Sequence, residues 1–237
     1  MTLPFFYLNN YDEAQNQIVL DEDTSKHIVQ VLRMKKGEAL NLTDGKGSLL
    51  TCGISDDHKK HCTVEVNSKI EIPKPKKSVT IAISLLKNSN RFEWFLEKAT
   101  EIGISEIIPL ICERTEKEKF RYDRMRGICI SAMLQSQQVW LPLLHEPVQF
   151  DDWVIGQFDN YKKLIAYCAE SDKERLAIQQ ISKLSNQLIA IGPEGDFTHN
   201  EIELALQHDF IPVSLGETRL RTETAAVVAA VLLMNSW

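Results

Sequence analysis

The stretch Ile72-Pro73-Lys74-Pro75-Lys76-Lys77-Ser78 separates two kinds of apolar pattern, and no single layer of secondary structure serves both. Its two prolines fix the backbone and withhold N–H donors, while its three lysines keep it in water, as in a short linker. Before it, apolar residues come in short strand-like runs: QIVL (17–20), EALNLTD (38–44), SLLTCGIS (48–55) and HCTVEVNSKIEI (61–72). Asp44-Gly45-Lys46-Gly47 is the tight-turn signal of a hairpin between two of them. Ser25 to Arg33, with Ile28, Val31 and Leu32 at helical spacing, reads as one short helix. Residues 1–72 are therefore expected to form a small, mostly β domain, a barrel by its strand pattern.

Beyond the linker the period changes. Val79 to Leu86 is a nearly continuous apolar run, followed at helical spacing by Phe92, Phe95, Leu96, Ala99 and Ile102 up to Gly103, a natural C-cap. Ile107 to Ile111 is apolar again, which completes a parallel strand–helix–strand unit. A helix is expected over 121–138. The alternation then resumes: strand 164–168, helix 173–184, strand 187–191, helix 200–208, strand 210–215 and a last helix over 223–234. Residues 73–237 are expected to be an α/β domain.

With 43% hydrophobic and 25% charged residues, and only 10 Gly and 8 Pro in 237, the chain can bury a core, and fibrous, low-complexity and disordered readings fail. MTLPFFYLNNYDEAQ has no basic n-region and no signal-length apolar run, so a cytoplasmic protein is expected. The five cysteines (Cys52, Cys62, Cys112, Cys129, Cys168) are scattered and read as small core residues, with no disulfide framework. Cys52, His58, His61 and Cys62 form the nearest approach to a ligand cluster, but their spacing is not that of a zinc site, and no metal is expected.

In parallel α/β sheets ligands bind beyond the carboxyl ends of strands. Two turns there stand out. Ile191-Gly192-Pro193-Glu194-Gly195-Asp196-Phe197 leads from a strand into a helix opened by the capping-box pattern Thr198-His199-Asn200-Glu201. Its glycines let the backbone approach a ligand, although an ordinary tight turn would look the same. Leu215-Gly216-Glu217-Thr218-Arg219-Leu220-Arg221-Thr222-Glu223-Thr224 gathers two arginines and two glutamates before a final helix built largely of Ala and Val. No P-loop and no G-x-G-x-x-G occurs.

IGPEGDF followed by SLGETRLRTETAAVVAA resembles the C-terminal signature of the RsmE-type 16S rRNA uridine N3-methyltransferases, which belong to the SPOUT class of knotted methyltransferases. HIVQVLRMKKGEALNLTDGKG is similar to that family's N-terminal PUA-like domain, and RFEWFLEKATEIGISEIIPLICERT to its first βαβ segment. The resemblance covers most of the chain in the right order. It implies a PUA-like β-barrel followed by an α/β domain tied in a trefoil knot, a homodimer, and S-adenosylmethionine as cofactor. It places that cofactor against residues 188–195 and 213–220, with Ile191, Gly192, Pro193, Glu194, Gly195, Leu215, Gly216, Leu220 and Thr224 as binding residues.

The implied reaction moves a methyl group onto uridine N3, which carries a proton, so a base and a stabiliser of the uracil anion are required. Arg221 is expected to stabilise charge on a uracil oxygen, and Glu223 to accept the proton or to orient Arg221; His199 is a rival base. Arg33, Arg91, Arg114 and Gln135 are the expected RNA contacts, with Arg121, Arg124 and Arg126 as substitutes. Three departures from the family pattern stand out: Asp196 where Gly is usual, Leu134-Gln135-Ser136-Gln137-Gln138 in place of E-Q-S-x-R, and no arginine in LPFFY.

Rival readings are a SPOUT enzyme acting on another rRNA or tRNA position, and a non-catalytic RNA-binding assembly factor. The net charge of -6 does not exclude RNA. Residues 1–77 are balanced, whereas residues 127–237 hold 7 basic against 14 acidic groups. Acidity is thus confined to the part assigned to cofactor and dimer, and a local basic stripe suffices for phosphate contacts.

Overall fold

A computed structural model of the chain describes residues 3–11, 15–117, 119–156, 158, 160–167, 174–175 and 186–234. Two compact units emerge, one of residues 1–74 with Met133–Leu141, the other of 75–132 with Pro142–Trp237. Residues 133–141, on the far side of the 72/73 division, are thus grouped with the smaller unit.

In the smaller unit, β1 (Phe5–Tyr7), β2 (Gln17–Val19), β3 (Ala39–Thr43), β4 (Ser48–Asp56) and β5 (Thr63–Glu71) form a mixed sheet of order β1-β3-β4-β5-β2. β4 buries alternate residues, as a strand with one face on a core should. The β3–β4 turn is pinned by Asp44, whose Oδ1 accepts from Lys46 N at 2.8 Å and from Ser48 N at 3.2 Å. Phe6, Ile28, Leu40, Leu42, Leu50, Cys52 and Val64 are among the residues of one buried cluster. Trp140 joins the same unit, its indole N–H donating to Ile72 O at 3.1 Å.

The helix expected over 25–33 takes a different form. α1 runs Glu22–Lys26, because the Asp21 side chain caps Thr24 N and starts the helix before the first apolar residue. A π-helical turn, His27–Val31, follows, and Arg33 at φ 57 ends it. Three residues in that turn (Ile28, Val29, Val31) are β-branched, which lowers the preference for a regular α-helix there.

In the larger unit β6 (Ser78–Ser84), α2 (Ser89–Ile102), β7 (Glu106–Ile111), α3 (Tyr122–Gln135), β8 (Leu143–Leu144), β9 (Val148–Gln149), α4 (Phe150–Val154), β10 (Tyr161–Ala166), β11 (Glu174–Arg175), β12 (Asn186–Ile191), α5 (His199–Gln207), β13 (Ile211–Ser214) and α6 (Thr222–Met234) follow in chain order. The strands pair in the order β11-β13-β10-β12-β6-β7-β8, with β9 also on β7, and every pairing is parallel. β6 is buried almost throughout, the mark of a strand covered on both faces. α6 packs on α2, β6 and β12, while Phe150, Trp153, Phe197 and Phe210 share a cluster with Ala82, Leu110 and Ala190. Gly103 caps α2 at φ 89, as its sequence position implies.

Two expectations change here. β10 begins at Tyr161 instead of Leu164, and Cys168 lies outside the described residues. Of the helix expected over 173–184, residues 174 and 175 form strand β11 and the others lie outside the described residues. The short β8, β9 and α4 carry too few residues to show a period.

Candidate active site

Because the sheet is parallel, its strand ends gather on one edge. Ala166 of β10 is in register with Ile191 of β12 and with Val213 of β13, so three neighbouring strands finish level and release their loops together. These loops enclose a cleft of about 740 Å³, a size suited to a small organic ligand. Ala166 and Tyr167 line it after β10, residues 191–194 and Asp196 after β12, and residues 213–220 after β13. Thr222 and Ala225 of α6, Arg221 just before the first residue of α6, and Arg91 of α2 complete the wall.

The floor is apolar where strands end and polar where loops and helix starts converge. Arg91, Arg219 and Arg221 face the same cavity as Glu194, Asp196 and Glu217. Gly216 stands at φ 153, a conformation open in practice to glycine alone, and a β-carbon on it would meet nothing within 4 Å. Its missing side chain therefore leaves a backbone cradle on the cavity. Asp196, at φ 65, occupies the left-handed region that a glycine enters at no steric cost. Its own Oδ1 accepts from Phe197 N at 2.9 Å, the local bond through which Asp tolerates this conformation.

The expected site residues divide into three groups. Ile191, Gly192, Pro193, Glu194, Leu215, Gly216, Leu220 and Arg221, together with Arg91, line the cleft. Gly195, Glu223 and Thr224 stand beside it without lining it; Gly195 instead lies under Arg114, whose Nη1 donates to Gly195 O at 2.7 Å. Arg33, exposed at the end of the π turn, and Gln135, exposed at the end of α3, belong to the smaller unit.

Glu223 does not face Arg221. Its side chain is 8% exposed, Oε1 lies 3.6 Å from Arg91 Nε, and Oε2 is buried with no hydrogen-bond partner. Arg221 is exposed on the cleft wall. The sequence reading missed this use of Arg91, which it treated as an RNA contact. The signal was present in the topology: α2 and α6 both begin beyond the C-terminal ends of their strands and pack side by side.

His199, the rival base, is 84% exposed, does not line the cleft and pairs with Glu203 at 3.1 Å one turn along α5. Thr198 and Glu201 form the anticipated capping box. Several candidate phosphate contacts already have partners. Arg124 grips Glu93 through two bonds of 2.7 and 2.9 Å, holding that carboxyl below the usual carboxylate range, and Arg114 is bonded to Gly195 O.

Buried cysteines take no part. Burial pushes the Cys52 and Cys129 thiols up to about 11 and that of Cys112 higher still, so none is a thiolate near neutrality.

The model of the RNA methyltransferase domain matches residues 73–234, and that of the RNA methyltransferase PUA domain matches residues 20–67. Fold and cleft thus define an α/β RNA methyltransferase of the SPOUT class with a PUA-like domain before it. The ribosomal RNA small subunit methyltransferase E of Rickettsia conorii is 31% identical over 97% of this chain and 95% of its own length. A probable rRNA methyltransferase from Porphyromonas gingivalis, 38% identical, superposes with a TM-score of 0.87 over 96% of this chain and 95% of its own. The ribosomal RNA small subunit methyltransferase E of Neisseria gonorrhoeae, solved bound to S-adenosyl methionine and 26% identical, gives 0.86 over 99% and 98%. This chain belongs to the ribosomal RNA small subunit methyltransferase E family.

Proposed function

We propose that the chain is a cytoplasmic methyltransferase that uses S-adenosylmethionine to methylate N3 of a uridine in the 16S rRNA of the small ribosomal subunit, and that it works as a homodimer through its larger unit. The observation that carries this is the cleft at the level ends of β10, β12 and β13, walled by Arg91 and Arg221. Its residues fit the cofactor: an apolar floor of Ile191, Val213, Leu215 and Leu220 for an adenine, the open cradle at Gly216 for close backbone approach, and carboxylates for a cation.

When bound, S-adenosylmethionine supplies a methyl group on a positively charged sulfur. The protein's residues then have three tasks. The loops after β12 and β13 hold the cofactor through backbone groups, with Ile191, Gly192, Pro193 and Glu194 on one side and Leu215, Gly216 and Leu220 on the other, which fixes the line of attack, while Gly195 and Thr224 support them from beside the cleft. Glu223 is assigned the proton from uracil N3: it stands beside the cleft, its buried Oε2 has no hydrogen-bond partner, and its other oxygen lies 3.6 Å from Arg91, which lines the cleft. Arg221 stabilises negative charge on a uracil oxygen as N3 bonds to the methyl carbon. Arg33 and Gln135 are candidate contacts to the RNA itself.

The dimer reading is supported by α6, an apolar helix whose Val231 is 39% exposed, and by the exposed Trp94 on α2, the helix against which α6 packs. Such surface favours coverage by a second copy.

The purified chain incubated with S-adenosylmethionine and either naked 16S rRNA or small subunits lacking the modification tests the activity. N3-methyluridine at one position in either substrate is expected. A methyl group on another base, or none in both, overturns the proposal.

A further inference from the structure

The turn that follows β7 is tied down from three directions. Thr115 Oγ1 accepts from Cys112 N at 2.8 Å and lies 3.0 Å from Ser84 Oγ, at the end of β6. Glu113 N donates to Oε1 of Glu201 at 2.9 Å. Glu201, only 4% exposed on α5, uses its other carboxylate oxygen to accept from Thr198 N at 2.7 Å. One buried carboxylate thus joins this turn to the helix that begins where the loop after β12 ends.

So held, the turn projects Arg114 over that loop. Its Nη1 donates to Gly195 O at 2.7 Å, and its Cδ lies 3.2 Å from where a β-carbon on Gly195 would stand. The peptide it grips leads into Asp196, whose φ of 65 is left-handed and whose N–H turns back to Pro193 O at 2.9 Å. Asp enters this region at a cost that its own bond to Phe197 N lowers, and a second hold on the same peptide lowers it further. The Gly195 carbonyl fixes the plane of the peptide that carries the Asp196 N–H, so the Arg114 guanidinium acts on the element under strain.

We propose that Arg114 is a positioning residue of the loop 191–196: it latches the Gly195–Asp196 peptide and so holds open the shape that receives the cofactor, a role different from the phosphate contact its charge suggests. This rests on the reading of that loop as a cofactor loop. The latch accounts for how this chain carries an aspartate where a glycine would need no holding.

Hydrogen exchange at the Asp196 amide in the ligand-free full-length chain, with calorimetric titration of S-adenosylmethionine alongside, tests the latch. Four proteins are compared: wild type, Arg114→Ala, Asp196→Gly and the double variant. Losing one hydrogen bond, Arg114→Ala should speed exchange about tenfold and weaken cofactor binding about tenfold, whereas in the Asp196→Gly background both changes should fall below about threefold. Unchanged exchange on Arg114→Ala, or equal changes in both backgrounds, overturns the proposal. Exchange that follows the prediction in a wild-type chain showing no affinity for S-adenosylmethionine overturns the cofactor reading and leaves the latch standing. Arg114→Gln, which keeps the side chain's stem, replaces the alanine variant if that fails to fold.

Discussion

Glu223 carries an unpaired carboxylate oxygen in a buried place, a costly arrangement unless an incoming donor uses it. Glu223→Gln keeps the shape and removes the acceptor charge. It should lower methyl transfer by at least about 100-fold while cofactor affinity stays within about threefold, as expected for loss of proton transfer alone. Arg221→Ala should also cut the rate and spare cofactor affinity, since its guanidinium is assigned to the uracil oxygen; rates near wild type for either variant, measured with cofactor saturating, would refute the assignment. At Cys52, buried with its thiol pushed up to about 11 from an ordinary 9.0, burial favours the protonated form in the folded state. Between pH 9 and 11 the unfolded chain then loses this proton first, so stability falls as pH rises, by up to about 1.4 kcal/mol per pH unit for each such thiol. Urea unfolding across that window should show a shallower decline for Cys52→Ala than for wild type, and equal slopes would contradict the burial argument.

Among the elements, the two kinds of strand were legible because burial writes different patterns. β4 alternates and faces one core, whereas β6 and β12 are buried nearly throughout, on both faces. α5 and α6 were legible to within a residue, α2 begins three residues before Phe92, the first residue of its apolar pattern, and the caps at Gly103 and Thr198 fell where the sequence places them. The π turn at His27–Val31 was not, since apolar spacing alone does not distinguish it from an α-helix. α6 carries the next prediction. An aspartate or glutamate on its exposed apolar side would be solvated in a monomer and buried in a dimer, so Val231→Glu should convert a dimeric elution and scattering mass into a monomeric one. A monomeric wild-type chain, or a variant still dimeric, would contradict the proposed interface.

Across the whole molecule, the loops of the site were legible and their connections were not. Glycine-bearing turns after strands mark a ligand edge from sequence alone, and Ile191–Glu194 and Leu215–Arg221 do line one cleft. That Glu223 meets Arg91, and Arg114 meets Gly195, follows only from which helices and turns the parallel sheet sets side by side. The acidic excess of residues 127–237 includes the cleft's Glu194, Asp196 and Glu217, while the balanced N-terminal part bears Arg33 exposed. Recognition of rRNA through a few phosphate contacts should accordingly weaken steeply with salt. The central claim is the methylation of one uridine at N3, and mass-spectrometric mapping of 16S rRNA from cells lacking the gene tests it most directly. One N3-methyluridine should vanish and return when the wild-type gene, but not its Glu223→Gln form, is restored; 16S rRNA that keeps every N3-methyluridine in the deletion strain would contradict the account.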